Sequence, residues 1–130
     1  MKKLLTELAK LNLPKDQFVV YGSGPMGIRG IRKIKDLDLV VSKGLWKKLA
    51  EKYPSEVGNK LRINLGKIEI LDKPVVGTVE SLIKEADIIG GIRYVKLETL
   101  IKLKRKMGRE KDFRDIKLIK NYLAKTKRLA

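Results

Sequence analysis

Gly22-Ser23, Asp36, Asp38 and Glu69 are the residues of this chain whose types and spacing could do chemistry. The Gly-Ser pair closes the mostly apolar run Gln17-Phe18-Val19-Val20-Tyr21, and after twelve intervening residues the acids of Asp36-Leu37-Asp38-Leu39 open a second run. On a strand, carboxylates two residues apart project from one face, with Cα atoms about 6.6 Å apart. Such a pair can hold two magnesium ions roughly 3.5–4 Å apart, one activating an attacking hydroxyl and the other neutralising a triphosphate and its leaving pyrophosphate. Glu69, between Ile68 and Ile70, is the preferred third acid, and Asp72 is the alternative. An unpaired Glu among apolar neighbours is costly to bury, so a metal or a Lys/Arg partner is expected there.

Two other phosphate-binding patterns fail. Gly22-Ser23-Gly24-Pro25-Met26-Gly27 matches the GxGxxG spacing of dinucleotide sites, but that motif needs a full helix and then a strand ending in an acid about 20 residues on. Here only Ile28 to Lys35 separate Gly27 from Asp36, four of those residues are basic, and the acids open the next strand instead of closing it. No Gly-Lys-Ser/Thr follows, so a Walker loop is excluded as well.

Composition narrows the chemistry further. With no His and no Cys among 130 residues, imidazole acid/base catalysis, thiol nucleophiles, disulfides and zinc sites built on nitrogen or sulfur are excluded. Carboxylates, hydroxyls, Lys, Arg, backbone amides and a hard, oxygen-bound cation such as magnesium remain. A formal net charge of +16 points to a polyanionic partner, a nucleic acid or a nucleoside triphosphate, although a Lys-rich surface can also serve solubility or heat tolerance. Between Ile101 and Arg128 there are twelve basic residues against Glu110, Asp112 and Asp115, so more than half of the net charge lies near the end of the chain. Aromatic residues are only 5% of the sequence, which favours contact with phosphates over base stacking. Glu7 and Lys10 interrupt the apolar start, no stretch approaches a membrane span, and a cytoplasmic location is the simplest expectation.

The elements that must position these residues follow from periodicity. Leu4, Leu5, Leu8 and Leu11 predict a helix over 2–12, stopped by Pro14. Strands are predicted at 17–21 and 37–41, and a helix capped by Ser42 runs to Lys52. Residues 61–65 and 67–71 alternate around Gly66 as a hairpin, and Thr78 starts a helix through Ala86. Residues 88–94 read as a short edge strand or a loop. Leu97, Leu100, Ile101 and Lys104 mark a helix ended at Gly108, and Phe113, Ile116, Ile119 and Leu123 mark the last. Asp112 and Asp115 read as capping residues, and Met26 and Met107 as packing residues. The expected fold is a single α/β (α+β) domain over 1–130, a small mixed sheet flanked by helices, with basic helices at its C-terminal end.

On these residues the sequence resembles the nucleotidyltransferase superfamily that shares its fold with DNA polymerase beta. The matching elements are Tyr21-Gly22-Ser23 at a strand end, Asp36-Leu37-Asp38 on the next strand and Glu69 on a later one. Gly30-Ile31-Arg32-Lys33-Ile34-Lys35-Asp36-Leu37-Asp38 is similar to the Gly-x-Arg-x-Thr-x-Asp-x-Asp form of minimal and toxin-type members, with Ile34 in place of Thr. Leu97 to Asp115 is similar to their closing helical segment. The resemblance implies magnesium-dependent transfer of a nucleoside monophosphate from a triphosphate to a hydroxyl or phosphate, with Asp36, Asp38 and Glu69 holding two ions. It implies that Gly22 and Ser23 bind the β and γ phosphates, and that Lys104, Arg32 and Arg109 pair with triphosphate oxygens. An RNA such as a transfer RNA end is a candidate acceptor, and a helical companion protein a candidate partner, as in toxin and antitoxin pairs. The competing expectation is a non-catalytic RNA-binding or partner-binding module on the same fold.

Overall fold

The computed structural model describes residues 1–58 and 62–129, arranged as one six-stranded mixed sheet with helices on both faces. In chain order the elements are α1 (Lys2–Lys10), β1 (Phe18–Tyr21), α2 (Gly24–Ile28), β2 (Leu37–Val41), α3 (Lys43–Lys52), β3 (Arg62–Leu65) and β4 (Ile68–Leu71). There follow α4 (Val79–Glu85), β5 (Asp87–Ile89), β6 (Ile92–Tyr94), α5 (Leu97–Met107) and α6 (Glu110–Leu129). The strand order is β3-β4-β2-β1-β6-β5. Antiparallel ladders join β1 to β2, β3 to β4 and β5 to β6, while β1–β6 and β2–β4 are parallel.

The period of two sorts the core into two layers. Phe18, Val20, Leu37, Leu39, Val41, Ile63, Ile68 and Ile70 turn to one face and pack on Leu4 and Leu8 of α1 and Leu45 and Leu49 of α3. Val19, Tyr21 and Val40 turn to the other, where Met26, Leu82, Leu97, Leu100, Leu103 and Ile119 cover them. The central strands are therefore apolar on both sides. The row Tyr21, Asp38, Glu69 breaks this pattern, on the face that α4, α5 and α6 share.

Local signals explain most boundaries. The Ser42 hydroxyl accepts from the Leu45 amide at 3.2 Å, and Thr78 with Ser81 forms a reciprocal cap at the start of α4. Three expectations need correction. The first helix ends at Lys10, two residues early, because the chain tightens through Leu11 and Asn12 takes a left-handed φ of 51°. Residues 87–94 form the hairpin β5–β6, with β6 pairing β1 at Tyr94. Phe113 is 53% exposed, because the inward line of α6 runs through Asp112, Asp115, Ile116 and Ile119 instead. Leu61, expected to open a strand, lies outside the described residues. Among the described residues no helix is long and apolar enough to cross a membrane.

Gly24, which follows the glycine turn and starts α2, has no room for a side chain. A Cβ there would collide with Val20 Cγ1 and lie 3.2 Å from Leu37 Cδ2, both fully buried. Gly24→Ala should cost about 1–3 kcal/mol by overpacking, read as a lowered urea midpoint with an unchanged slope; an unchanged midpoint would contradict this packing.

Candidate active site

The antiparallel β1–β2 ladder pairs Tyr21 with Asp38, the parallel β2–β4 ladder pairs Asp38 with Glu69, and the β3–β4 hairpin pairs Glu69 with Asn64. Cross-strand partners share a face, so a polar row crosses four strands on the side facing α5 and α6. It borders a cleft of about 530 Å³, lined by the Gly22-Ser23 turn, Asp36, Asp38, Lys104, Asp115 and the residues that surround them.

Gly22 is what lets Asp38 sit there. With φ +63°, Gly22 holds a left-handed turn, and a Cβ on it would stand 2.6 Å from Asp38 Oδ2. Asp38 is half-buried and has no hydrogen-bond or ion-pair partner among the described residues. Burial, then the like charges of Glu69 and Asp36, push its carboxyl up to about 6, and the opposing pull of Arg62 and Lys104 does not cancel them. Tyr21 forms the floor beside it. Its hydroxyl accepts from the Val75 amide at 2.8 Å, tying the β4–α4 loop to the sheet, and burial holds its phenol above the usual range.

The opposite wall is cationic and internally tied. Asp115 is 6% exposed and receives Lys104 Nζ at 2.8 Å, Arg32 Nε at 2.8 Å and an Arg32 terminal nitrogen at 2.9 Å. Arg32 also donates to Ser23 Oγ at 2.8 Å, and Lys104 approaches the same hydroxyl at 3.5 Å. Burial would raise the Asp115 carboxyl, but its hydrogen bonds from Arg32 and Lys104 hold it below the usual carboxylate range. Ser23 makes no side-chain bond to the amides of α2, so its hydroxyl stays directed at the cations.

The predicted site residues therefore divide. Gly22, Ser23, Arg32, Asp36, Asp38, Lys104 and Arg109 all line the one cleft. Arg109 lies at its exposed edge, where the guanidinium pairs with Asp112 at 2.7 Å. Glu69 stands next to Asp38 in the ladder but pairs with Arg62 at 3.0 Å, and neither Glu69 nor Asp72 is part of the cleft lining. Among the described residues no three acidic side chains gather as a ready cation cage. Lys104 is 5% exposed, its ammonium buried against Asp115.

Sequence reasoning missed Asp115, Arg62 and Met107. Asp115 is no helix cap, because α6 starts at Glu110 and Asp115 sits a turn inside it. The capping role belongs to Asp112, which accepts from the Arg109 amide at 3.1 Å. Two acids at the three-to-four spacing of the buried stripe of α6 were a readable sign of inward carboxylates. Met107 is 42% exposed and lines the cleft instead of packing in the core. Comparison with protein families, curated proteins and solved structures finds no match for this chain.

Two outcomes follow from these charges. Asp115→Ala strands a buried ammonium and should cost about 3–5 kcal/mol, measured by urea denaturation, with a loss under 1 kcal/mol excluding a tight network. Asp38 has the opposite sign. Its folded-state value lies above that of the unfolded chain, so its ionised form destabilises the fold above pH 6, and this cost vanishes as pH falls through 6 towards 4. Without divalent ions, Asp38→Asn should stabilise the protein by about 1–2 kcal/mol at pH 8 and hardly at all at pH 4; equal effects at both pH values would refute the assignment.

Proposed function

We propose that this protein is a magnesium-dependent nucleotidyltransferase that moves a nucleoside monophosphate from a nucleoside triphosphate to a hydroxyl or phosphate acceptor. The single observation that carries the reading is Asp38: a half-buried carboxylate without a partner, crowded by Glu69 and Asp36, across one cleft from Ser23, Arg32 and Lys104. The arrangement has hard oxygen donors on one side and phosphate-binding cations on the other.

The donor set fits a divalent cation, because a cation would relieve the like-charge crowding that raises the Asp38 carboxyl. Asp36 and Asp38 would hold it, with Glu69 joining once it releases Arg62. Bound magnesium supplies charge neutralisation on the triphosphate and acidification of the acceptor hydroxyl.

The chain's own residues do the rest. The Gly22-Ser23 turn admits phosphate close to the backbone, and the Ser23 hydroxyl and nearby amides bind the β and γ phosphates. Lys104 and Arg32, held in place by Asp115, pair with phosphate oxygens as charge builds towards pyrophosphate. An acceptor oxygen attacks the α phosphorus, the bond from that phosphorus to the bridging oxygen of the β phosphate breaks, and pyrophosphate leaves. Where the acceptor is a hydroxyl, its proton would pass to Glu69 once that carboxylate is released from Arg62.

A second reading is favoured by one observation, the Arg62–Glu69 pair, which neutralises the third acid as a non-catalytic binding module would. One set of assays separates the two. Incubated with each labelled triphosphate, magnesium and RNA or protein acceptors, the wild type should give labelled product and Asp38→Asn none. Saturating triphosphate, at about 100 times its dissociation constant, should also stabilise the wild type by about 2.7 kcal/mol only when magnesium is present. No product from any triphosphate, together with no magnesium-dependent stabilisation, would leave the binding-module reading.

A further inference from the structure

We infer that an apolar wall of the cleft seats the base of the nucleoside triphosphate and selects purines over pyrimidines by contact area, with Val75 and Met107 as the specificity-determining residues; the inference rests on the reaction proposed above. Among the described residues five large apolar side chains are exposed, and of these only Val75 and Met107 line the cleft. They come from separate segments, the β4–α4 loop and the last residue of α5. Tyr21, Leu71 and Leu103, which belong to the core layer on the same face of the sheet, reach the cleft with them. The remaining apolar lining residue, Ile34, packs against Gly27 in the opposite layer. Two bonds hold the wall together. The Val75 amide donates to the Tyr21 hydroxyl at 2.8 Å, and Lys106 Nζ donates to the Val75 carbonyl at 3.4 Å, which ties the loop to the C-terminal end of α5 where Met107 sits.

The wall adjoins the cations. Met107 follows Lys104 by three residues on α5, so the two share a side of the helix about 4.5 Å apart along its axis. A ligand that fills both places is anionic at one end and apolar at the other, and a flat aromatic base suits the polarisable thioether of Met107. A free phosphate or an acidic peptide would leave the exposed Val75 and Met107 in water. The cleft, at about 530 Å³, lies in the size range of small-molecule sites. Its composition also fixes how the base is recognised. Both backbone polar groups of Val75 are engaged, and the lining holds no Asn, Gln or Thr to read the edge of a base. The one aliphatic hydroxyl, on Ser23, is bonded to Arg32. Contact area is left as the discriminator, so a two-ring purine is preferred to a one-ring pyrimidine, and adenine and guanine are held alike.

The test is isothermal titration calorimetry of the full chain, in magnesium, with the α,β-methylene analogues of ATP, GTP, CTP and UTP, which cannot be cleaved at the α phosphorus, and with inorganic tripolyphosphate. The two purine analogues should bind within about 3-fold of each other and about 3- to 10-fold more tightly than the pyrimidine analogues, with tripolyphosphate weakest. The double variant Val75→Ser, Met107→Ser should bind the purine analogues about 10-fold more weakly and lose the purine preference, while its affinity for tripolyphosphate stays within about 2-fold of wild type. The apolar double variant Val75→Ile, Met107→Leu should keep the preference. Both side chains are exposed, so matching melting temperatures are expected, and retained tripolyphosphate binding establishes that each variant folds.

Equal binding of tripolyphosphate and all four analogues, or a purine preference that survives in the serine variant, would overturn the inference. A preferred pyrimidine, or one base held more than about 10-fold more tightly than every other, would overturn recognition by area and point to a read base edge. The measurement needs no turnover, so the two readings fail separately. A purine preference lost in the serine variant, without transfer to any acceptor, overturns the reaction and leaves the base site standing. Transfer from triphosphates bound without regard to base overturns the base site and leaves the reaction, and binding of none of the ligands overturns both.

Discussion

An uncompensated carboxylate held against a glycine is the constraint on which the rest of the site depends. Asp38 reaches its position because β1 and β2 pair in a register that sets it opposite Tyr21, and because Gly22 carries no Cβ that would meet its oxygen. Burial and the neighbouring acids oppose its ionisation, and no partner among the described residues relieves that opposition. Structural carboxylates elsewhere in this chain are treated differently. Asp115 and Asp112 are more deeply buried, yet each is tied to arginine and held in its charged form. The contrast is the ground on which we propose Asp38 as the carboxylate that meets a ligand.

The cationic side is built on the reverse principle. Two basic side chains converge on Ser23 while Asp115 receives both of them, and that buried carboxylate offsets the repulsion between the two positive groups. The cleft is thus polarised across its width, with a negative edge on the sheet and a positive wall made by Arg32, from the α2–β2 connection, and Lys104 of α5, both held by Asp115 of α6. This explains why a chain with net charge +16 keeps acids at the centre of its most basic region. They organise the charge around them without cancelling it.

Much of this was legible in the sequence, for reasons that differ by residue. Gly22-Ser23 and Asp36-x-Asp38 were readable because the turn chemistry and the two-residue period are local properties. Helix caps at Ser42 and Thr78 were readable for the same reason. Asp115 was not, since its role comes from Arg32, far away in the chain, and from Lys104 on the preceding helix. Arg62 was hidden because its bond to Glu69 depends on the register of a hairpin. The edge pair β5–β6 was ambiguous because strands of three residues carry too little periodicity to distinguish from a loop. Phe113 misled because apolar character was assumed to mark the inward face, whereas Asp112 and Asp115 occupy it in the first turns of α6.

Paramagnetic broadening by manganese, standing in for magnesium, probes the placement of the cation most directly. Titrated into isotopically labelled protein at neutral pH, it should broaden the amide signals of Gly22, Ser23, Leu37 and Asp38 first, and Asp38→Asn should abolish that broadening while leaving the spectrum otherwise folded. Broadening centred elsewhere, or unchanged in Asp38→Asn, would contradict the assignment of Asp38 as the carboxylate around which the site is built.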